Sequence, residues 1–409
     1  MREIILVHAA GQDQLGMTAA MTQVMAHYAV NVLDISQAMI HNALTVGVLL
    51  EIPEGVDSAA MLKQLVFSAS QWGVMLSFKA ISEESYAALM TQQQHARYII
   101  TLLARQLTAE QLAQVTRILA AHQLNIEQIN RLSRVPALQN QDQKSCIEFV
   151  VRGEPNNVAA MRAEFLAVAQ ALGVDIAFQK DNAYRRHRRL IVFDMDSTLI
   201  ECEVIDELAK AAGVGAQVAE VTERAMQGLL DFKESFRQRV ALLKGLDALA
   251  LTQIGQTLPL TEGAERLIKT VKALGYKTAI ISGGFTYFGE ILQQQLGIDY
   301  MFANELLFDG NGKVSGEIKE PIVDGQRKAE LLQEIARREA LSLEQVIAVG
   351  DGANDLPMLG LAGLGIAFRA KPLVKQTANH AISALGLDGI LYLLGVRDSD
   401  QIDLLAKIS

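Results

Sequence analysis

Two short apolar runs end in carboxylates. Leu190-Ile191-Val192-Phe193 leads into Asp194-Met195-Asp196-Ser197-Thr198, and Val346-Ile347-Ala348-Val349 leads into Gly350-Asp351-Gly352-Ala353-Asn354-Asp355. Such runs read as buried strands, and in an open α/β sheet ligands sit beyond the carboxyl ends of the strands. A helix cap needs only one Asp, so a pair one residue apart exceeds what a cap requires. Asp194, Asp351 and Asp355 are hard oxygen donors suited to Mg²⁺; a zinc site would want His or Cys close by in the sequence. A third run, Ala279-Ile280-Ile281, ends in Ser282-Gly283-Gly284-Phe285. Its hydroxyl and backbone N–H groups could cradle an anion, although the same residues also make an ordinary turn. Lys328, near the start of a helical pattern, reads on its own as a surface charge. Taken together, these residues suit phosphoryl transfer. One carboxylate attacks, a cation and a lysine neutralise the phosphoryl oxygens, and a second carboxyl protonates the leaving oxygen and then activates water.

The segments Asp194 to Thr198, Ser282-Gly283-Gly284, Lys328 and Gly350 to Asp355 follow the order of the four motifs of the haloacid dehalogenase-like hydrolase superfamily. The chain resembles that superfamily over roughly residues 190–394. It is most similar to the branch that hydrolyses phosphoserine. That likeness is carried by Glu203 in Glu201-Cys202-Glu203-Val204-Ile205-Asp206-Glu207 and by Arg239 in Phe232-Lys233-Glu234-Ser235-Phe236-Arg237-Gln238-Arg239-Val240. Thr261-Glu262-Gly263-Ala264 and Phe302-Ala303-Asn304 carry it too. The resemblance implies Asp194 as nucleophile and Mg²⁺ ligand, and Asp196 as general acid/base with its carbonyl on the metal. It implies Asp351 as the third protein ligand and Asp355 as its support. Ser282, Gly283, Lys328 and Asn354 would hold the phosphate.

The substrate implied is O-phospho-L-serine. Glu203 would take its ammonium and Arg239 its carboxylate, as a planar bidentate clamp. Helical spacing alone does not choose between Arg237 and Arg239; the resemblance points to Arg239. Water exclusion by a closing lid would raise the Asp196 pKa. The nearest alternatives are hydrolysis or transfer of another small phosphomonoester, and a non-catalytic amino-acid sensor. Cys202 reads as a packed or idle thiol, and His8 and His41 as structural residues.

These groups must be positioned by alternating strands and helices. From residue 278 onward the pattern runs strand 278–282, helix 286–296, strand 300–302, helix 328–339 and strand 346–349, which predicts a parallel sheet covered by helices. Asp309-Gly310-Asn311-Gly312 predicts a hairpin. Residues 203–255 predict a helical cap. Upstream, residues 3–8, 17–27, 31–40, 43–52, 58–72 and 74–81 read β-α-β-β-α-β, the ferredoxin-like order. The order repeats over 97–103, 108–122, 125–129, 145–152, 158–172 and 174–178, with 139–144 as a polar loop. The basic run Asp181-Asn182-Ala183-Tyr184-Arg185-Arg186-His187-Arg188-Arg189 reads as a solvated linker or domain boundary.

The fold class is therefore α/β: a doubly wound Rossmann-like core with a helical cap, preceded by two ferredoxin-like α+β domains. The expected bounds are 1–90, 91–182 and 183–409. The paired N-terminal units resemble ACT domains, small amino-acid-binding regulatory modules. The turn Gly11-Gln12-Asp13-Gln14-Leu15-Gly16 matches that family's glycine loop, while Ala104-Arg105-Gln106-Leu107-Thr108 lacks the glycines. The resemblance implies homodimerisation and feedback by L-serine.

Composition narrows the partners. The 409 residues suit two or three domains. A net charge of −9 argues against a nucleic-acid partner. Only two cysteines, Cys146 and Cys202, argue against a disulfide scaffold. The absence of a long apolar run and of a signal-peptide pattern predicts no membrane partner and a cytoplasmic location.

Overall fold

The computed structural model describes residues 3–135 and 144–406, so most of the polar loop read at 139–144 lies outside the described residues. The chain divides into two compact units, Met1–His95 and Ala96–Ser409.

The first unit is a four-stranded antiparallel sheet in the order Asn31–Ile40, Ala43–Ile52, Glu3–Gln12, Met75–Ile81. Helices Met17–His27 and Ser58–Gln71 cover one face, with Asp57 capping the second helix. Val7, Met21, Leu50 and Leu65 are among the residues that fill the space between sheet and helices. The first strand runs on through Gly11 and Gln12, which pair with Leu44 and Ala43. The glycine loop is therefore shorter than the sequence suggested, because cross-strand pairing overrides the local turn preference. A helix that the pattern did not reveal, Glu83–Gln93, follows the last strand; it is capped by Ser82 and buries no residue.

The second unit opens with the same topology: Asn125–Arg131, Ser145–Arg152, Arg97–Ala104, Asp175–Lys180, all antiparallel. It continues into a six-stranded parallel sheet ordered Tyr300–Asn304, Lys277–Phe285, Leu190–Phe193, Val346–Gly350, Leu364–Phe368, His380–Ile382. Leu190–Phe193 comes first in sequence, and the chain winds away from it in both directions. The topological switch point, where ligands bind in such sheets, therefore lies beside Phe193. Four helices, Val204–Ala211, Gly215–Met226, Phe232–Leu242 and Ala248–Gln256, follow the first strand of this sheet as an insertion.

The basic run at 181–189 lies at the boundary between the second ferredoxin-like sheet, which ends at Lys180, and the parallel sheet, which begins at Leu190, but it is not the solvated linker its composition suggests. Arg185 and Arg188 are only 2% and 5% exposed. Arg185 pairs with Glu148 at 2.5 Å, and Arg188 donates to Gln179, the Arg185 carbonyl and the Gly363 carbonyl. Leu103, Cys146 and Ala177 of the preceding sheet belong to the same buried apolar cluster as Ile191, Phe193 and Leu391. These arginines thus staple the second ferredoxin-like module onto the catalytic sheet.

Candidate active site

The two carboxylate-bearing runs lie on adjacent parallel strands, with Phe193 in register with Val349. Their ends deliver Asp194 and Asp351 side by side. Asp194 is 5% exposed. Its Oδ1 accepts from the Met195 N–H at 2.7 Å and from Lys328 Nζ at 2.8 Å, the only donors to this carboxylate among the described residues. Lys328 sits in the first turn of helix Gly325–Arg338, which Asp324 caps by accepting from the Arg327 N–H. Far from being a surface charge, Lys328 is wholly buried, and it also donates to Asp355 Oδ1 at 2.7 Å. Burial alone would push its pKa down, but Asp194 and Asp355 outweigh that and hold the ammonium charged. Asp355 Oδ2 accepts from the Gly352 N–H, so both of its oxygens are committed.

Carboxylate oxygens of Asp194, Asp351 and Asp355 all lie within 4.8 Å of one another. Burial raises Asp351 to about 8, and the nearby Asp194 and Asp355 charges add to the shift. Burial followed by Asp194 raises Asp355 to about 6, against the pull of Lys328. Three carboxylates thus face one lysine. This uncompensated negative charge, built from hard oxygen donors, fits a divalent cation such as Mg²⁺.

Asp196 is 9% exposed and accepts from the Val204 N–H at 3.1 Å through Oδ1. Its pKa is raised well above the ordinary value by burial first, then by Glu203 and Asp194. Gly284 lets the backbone pass close to its Oδ2, where any Cβ would collide. Ser282 is fully buried, and its Oγ accepts from the Gly284 N–H at 2.9 Å, leaving its proton free to point elsewhere. Asn304 fixes this loop by donating to the Gly283 carbonyl and accepting from the Val323 N–H, each at 2.8 Å.

The first three inserted helices, Val204–Ala211, Gly215–Met226 and Phe232–Leu242, roof a cavity of about 910 Å³. Asp194, Asp196, Ser282, Gly283, Asp351 and Asn354 line its floor, and Glu203 and Arg239 its upper wall. Every sequence-predicted site residue lines this cavity except Lys328 and Asp355, which stand behind Asp194. Arg239, not Arg237, reaches the cavity; Arg237 is exposed and pairs with Glu320. The Arg239 Nε is buried without a partner among the described residues, and its guanidinium lies 5.9 Å from the centre of the Phe236 ring. Burial raises the Glu203 pKa, against the hydrogen bond that its Oε1 accepts from Ser197 Oγ at 2.8 Å.

Some contributors had no assigned role in the sequence. Ser197 takes a positive φ of 55° to reach Glu203. Thr198 Oγ1 lies 3.3 Å from Asp351. Phe232 and Phe236 supply an apolar wall. Lys233 ties the roof to the core through Asp324 at 3.0 Å. Asp324-Gly325 ahead of a helical pattern was a readable cap signal; the other contacts form only in three dimensions.

Comparisons with known proteins agree with this layout. The sequence profile of haloacid dehalogenase-like hydrolases matches residues 188–363, and ACT domain profiles match residues 3–79 and 96–179. A phosphoserine phosphatase from Archaeoglobus fulgidus is 50% identical over 248 residues, which is 61% of this chain and 72% of its own. One from Streptomyces coelicolor is 39% identical over 398 residues, covering 96% of this chain and 92% of its own. Among solved structures, a probable phosphoserine phosphatase from Vibrio cholerae, 35% identical, matches with a TM-score of 0.58 over 79% of this chain and 96% of its own. No described helix is long and apolar enough to cross a membrane.

Proposed function

The chain belongs to the phosphoserine phosphatases, haloacid dehalogenase-like hydrolases joined here to two ACT domains, and from this premise we propose a Mg²⁺-dependent, two-step hydrolysis of O-phospho-L-serine. The observation that carries the mechanism is the placement of Asp194 and Asp196 on the floor of one cavity, with Glu203 and Arg239 above them.

Asp194, Asp351 and the Asp196 carbonyl would hold the metal, with Asp355 locked behind them by Lys328. Bound Mg²⁺ supplies charge neutralisation for the phosphoryl oxygens. Ser282, the Gly283 N–H, Lys328 and Asn354 hold the phosphate. Glu203 receives the substrate ammonium, and Arg239, whose Nε is unpartnered among the described residues, receives its carboxylate.

In the first step an Asp194 carboxylate oxygen bonds to phosphorus as the bond from phosphorus to the serine oxygen breaks. Asp196, kept protonated by its buried and anionic surroundings, gives its proton to that oxygen, and L-serine leaves. In the second step Asp196 takes a proton from water as the water oxygen attacks phosphorus. The Asp194–phosphorus bond breaks, and phosphate leaves with the carboxylate restored.

This is the final step of L-serine biosynthesis, carried out in the cytoplasm. The ACT domains would support a homodimer and feedback by L-serine, with the glycine loop at Gly11 to Gly16 as the effector site. Phosphate release from a panel of phosphomonoesters, with and without EDTA, tests the reading. EDTA is expected to stop turnover. Arg239→Ala is expected to raise KM for O-phospho-L-serine by about 100-fold, the loss of a charged bidentate contact, while sparing esters that lack a carboxylate. Selectivity for phosphoserine that survives this change would count against the clamp.

A further inference from the structure

A second cavity, of about 670 Å³, lies where the second ferredoxin-like module meets the catalytic sheet. Helix Val158–Leu172 and strand Asp175–Lys180 form one wall, and residues 375–384 form the other. Its polar lining is unusual. Arg162 Nε, His380 Nδ1 and Ser383 Oγ are all buried without a hydrogen-bond partner among the described residues. His380 is only 7% exposed. Buried polar atoms are almost always satisfied, so three such atoms on residues that line one cavity point to a missing partner.

The lining also states what that partner is. Arg162 is steered by donating through Nη1 to Asn379 Oδ1 at 2.5 Å, and Lys375 adds a second cation. The one acid lining this cavity among the described residues, Asp175, is already engaged: Oδ1 accepts from the Ser383 N–H at 2.8 Å and Oδ2 from the Ala384 N–H at 2.7 Å. Cationic and hydroxyl donors therefore await an anion, and no free carboxylate awaits an ammonium. Phe165 and Phe178 supply an apolar surface beside them.

We propose that this cavity binds a small organic carboxylate with an apolar body, and that its occupancy is felt at the active site. A zwitterionic amino acid is the wrong ligand here, because its ammonium would be buried unpaired. The site is thus separate from the glycine loop of the first module. The route to the active site is short. Within helix Pro372–Thr377 and the residue before it, Lys371, Leu373 and Val374 line the catalytic cavity, while Lys375, Gln376 and Thr377 line this one. A ligand that draws in Lys375 displaces the wall shared by both cavities, and coupling between the two sites must be reciprocal.

Matched probes test the site on the full-length Mg²⁺-loaded protein: butyrate, butyramide and L-2-aminobutyrate, followed by ligand-observed NMR without turnover. Butyrate is expected to bind saturably and at least about tenfold more tightly than either analogue, since charged hydrogen bonds are worth that much. Arg162→Ala and Lys375→Ala are each expected to weaken it by about tenfold or more. Butyrate is also expected to shift KM for O-phospho-L-serine in the parent protein and not in Arg162→Ala. Absence of saturable butyrate binding, equal binding of the amide, or binding that survives both substitutions would overturn the proposal. Because binding is read without turnover, these results are independent of the catalytic assignment.

Discussion

Buried charge is handled in opposite ways at two places in the catalytic unit. At the seam between the second ferredoxin-like module and the core, it is matched. Arg185 meets Glu148, Lys144 meets Asp388, and Asp175 accepts two backbone N–H groups. In the catalytic cleft it is not. Asp194, Asp351 and Asp355 crowd around Lys328, and Asp196 and Glu203 are buried close by. Matched buried charge fixes geometry, whereas unmatched charge shifts pKa values and marks chemistry. Within the seam, the cavity whose Arg162 and His380 atoms lack partners among the described residues follows the second rule and reads as a site for the same reason.

Removing charge should therefore have contrasting effects in the two places. Asp194→Asn in the cleft should lower kcat by roughly 1,000-fold or more, the usual scale for losing a covalent nucleophile. It should leave Tm unchanged or raised, because it relieves repulsion among like charges. Phosphate-release kinetics alongside calorimetry check both halves of this outcome. Near-normal turnover would remove Asp194 from the nucleophile role.

Glu148→Ala at the seam should do the reverse. It leaves Arg185 buried and unpaired, at a cost of about 3–5 kcal/mol, while KM of the folded enzyme stays near its parent value. Denaturant titration reads the loss. An unchanged midpoint would show that the seam's pairs hold nothing together.

A smaller effect is expected with pH. Burial lowers the His380 pKa to about 3, and Arg162 and Arg188 add to the shift. The folded state therefore keeps this ring neutral where the unfolded chain would protonate it. Its contribution is intact above the ordinary histidine pKa near 6.5 and is lost as pH falls from there toward 3. At pH 5 the loss amounts to roughly 2 kcal/mol. His380→Gln should flatten that part of the curve of Tm against pH; the same acid slope in parent and variant would contradict the assignment.

The cleft was legible in the sequence because its chemistry is local. Asp194 and Asp196 share a turn, Asp351 and Asp355 share another, and each turn follows a strand whose apolar run is plain. The choice between Arg237 and Arg239 needed the resemblance, and the structure seats Arg239 in the cavity and Arg237 on the surface. The seam was illegible because its partners are remote. Arg185 and Arg188 look solvated until Glu148, 37 residues away, and the Gly363 carbonyl, 175 away, are brought to them. Local preference also misplaced the ends of strands. Glu3–Gln12 passes through Gly11 because pairing with Leu44 outweighs that residue's turn preference, whereas Lys277–Phe285 is interrupted at Ser282-Gly283-Gly284, where pairing with the strand Tyr300–Asn304 skips from Ile281 to Phe285.

The central claim is that the cleft's unmatched carboxylates do covalent chemistry through Asp194. Acid-quenching the enzyme during turnover of O-phospho-L-serine, then mapping phosphate by peptide mass spectrometry, tests it most directly. The expected result is phosphate on the peptide carrying Asp194 in the parent enzyme and none in Asp194→Asn. Phosphate on a different residue, or rapid turnover with no phosphorylated peptide at any quench time, would contradict it.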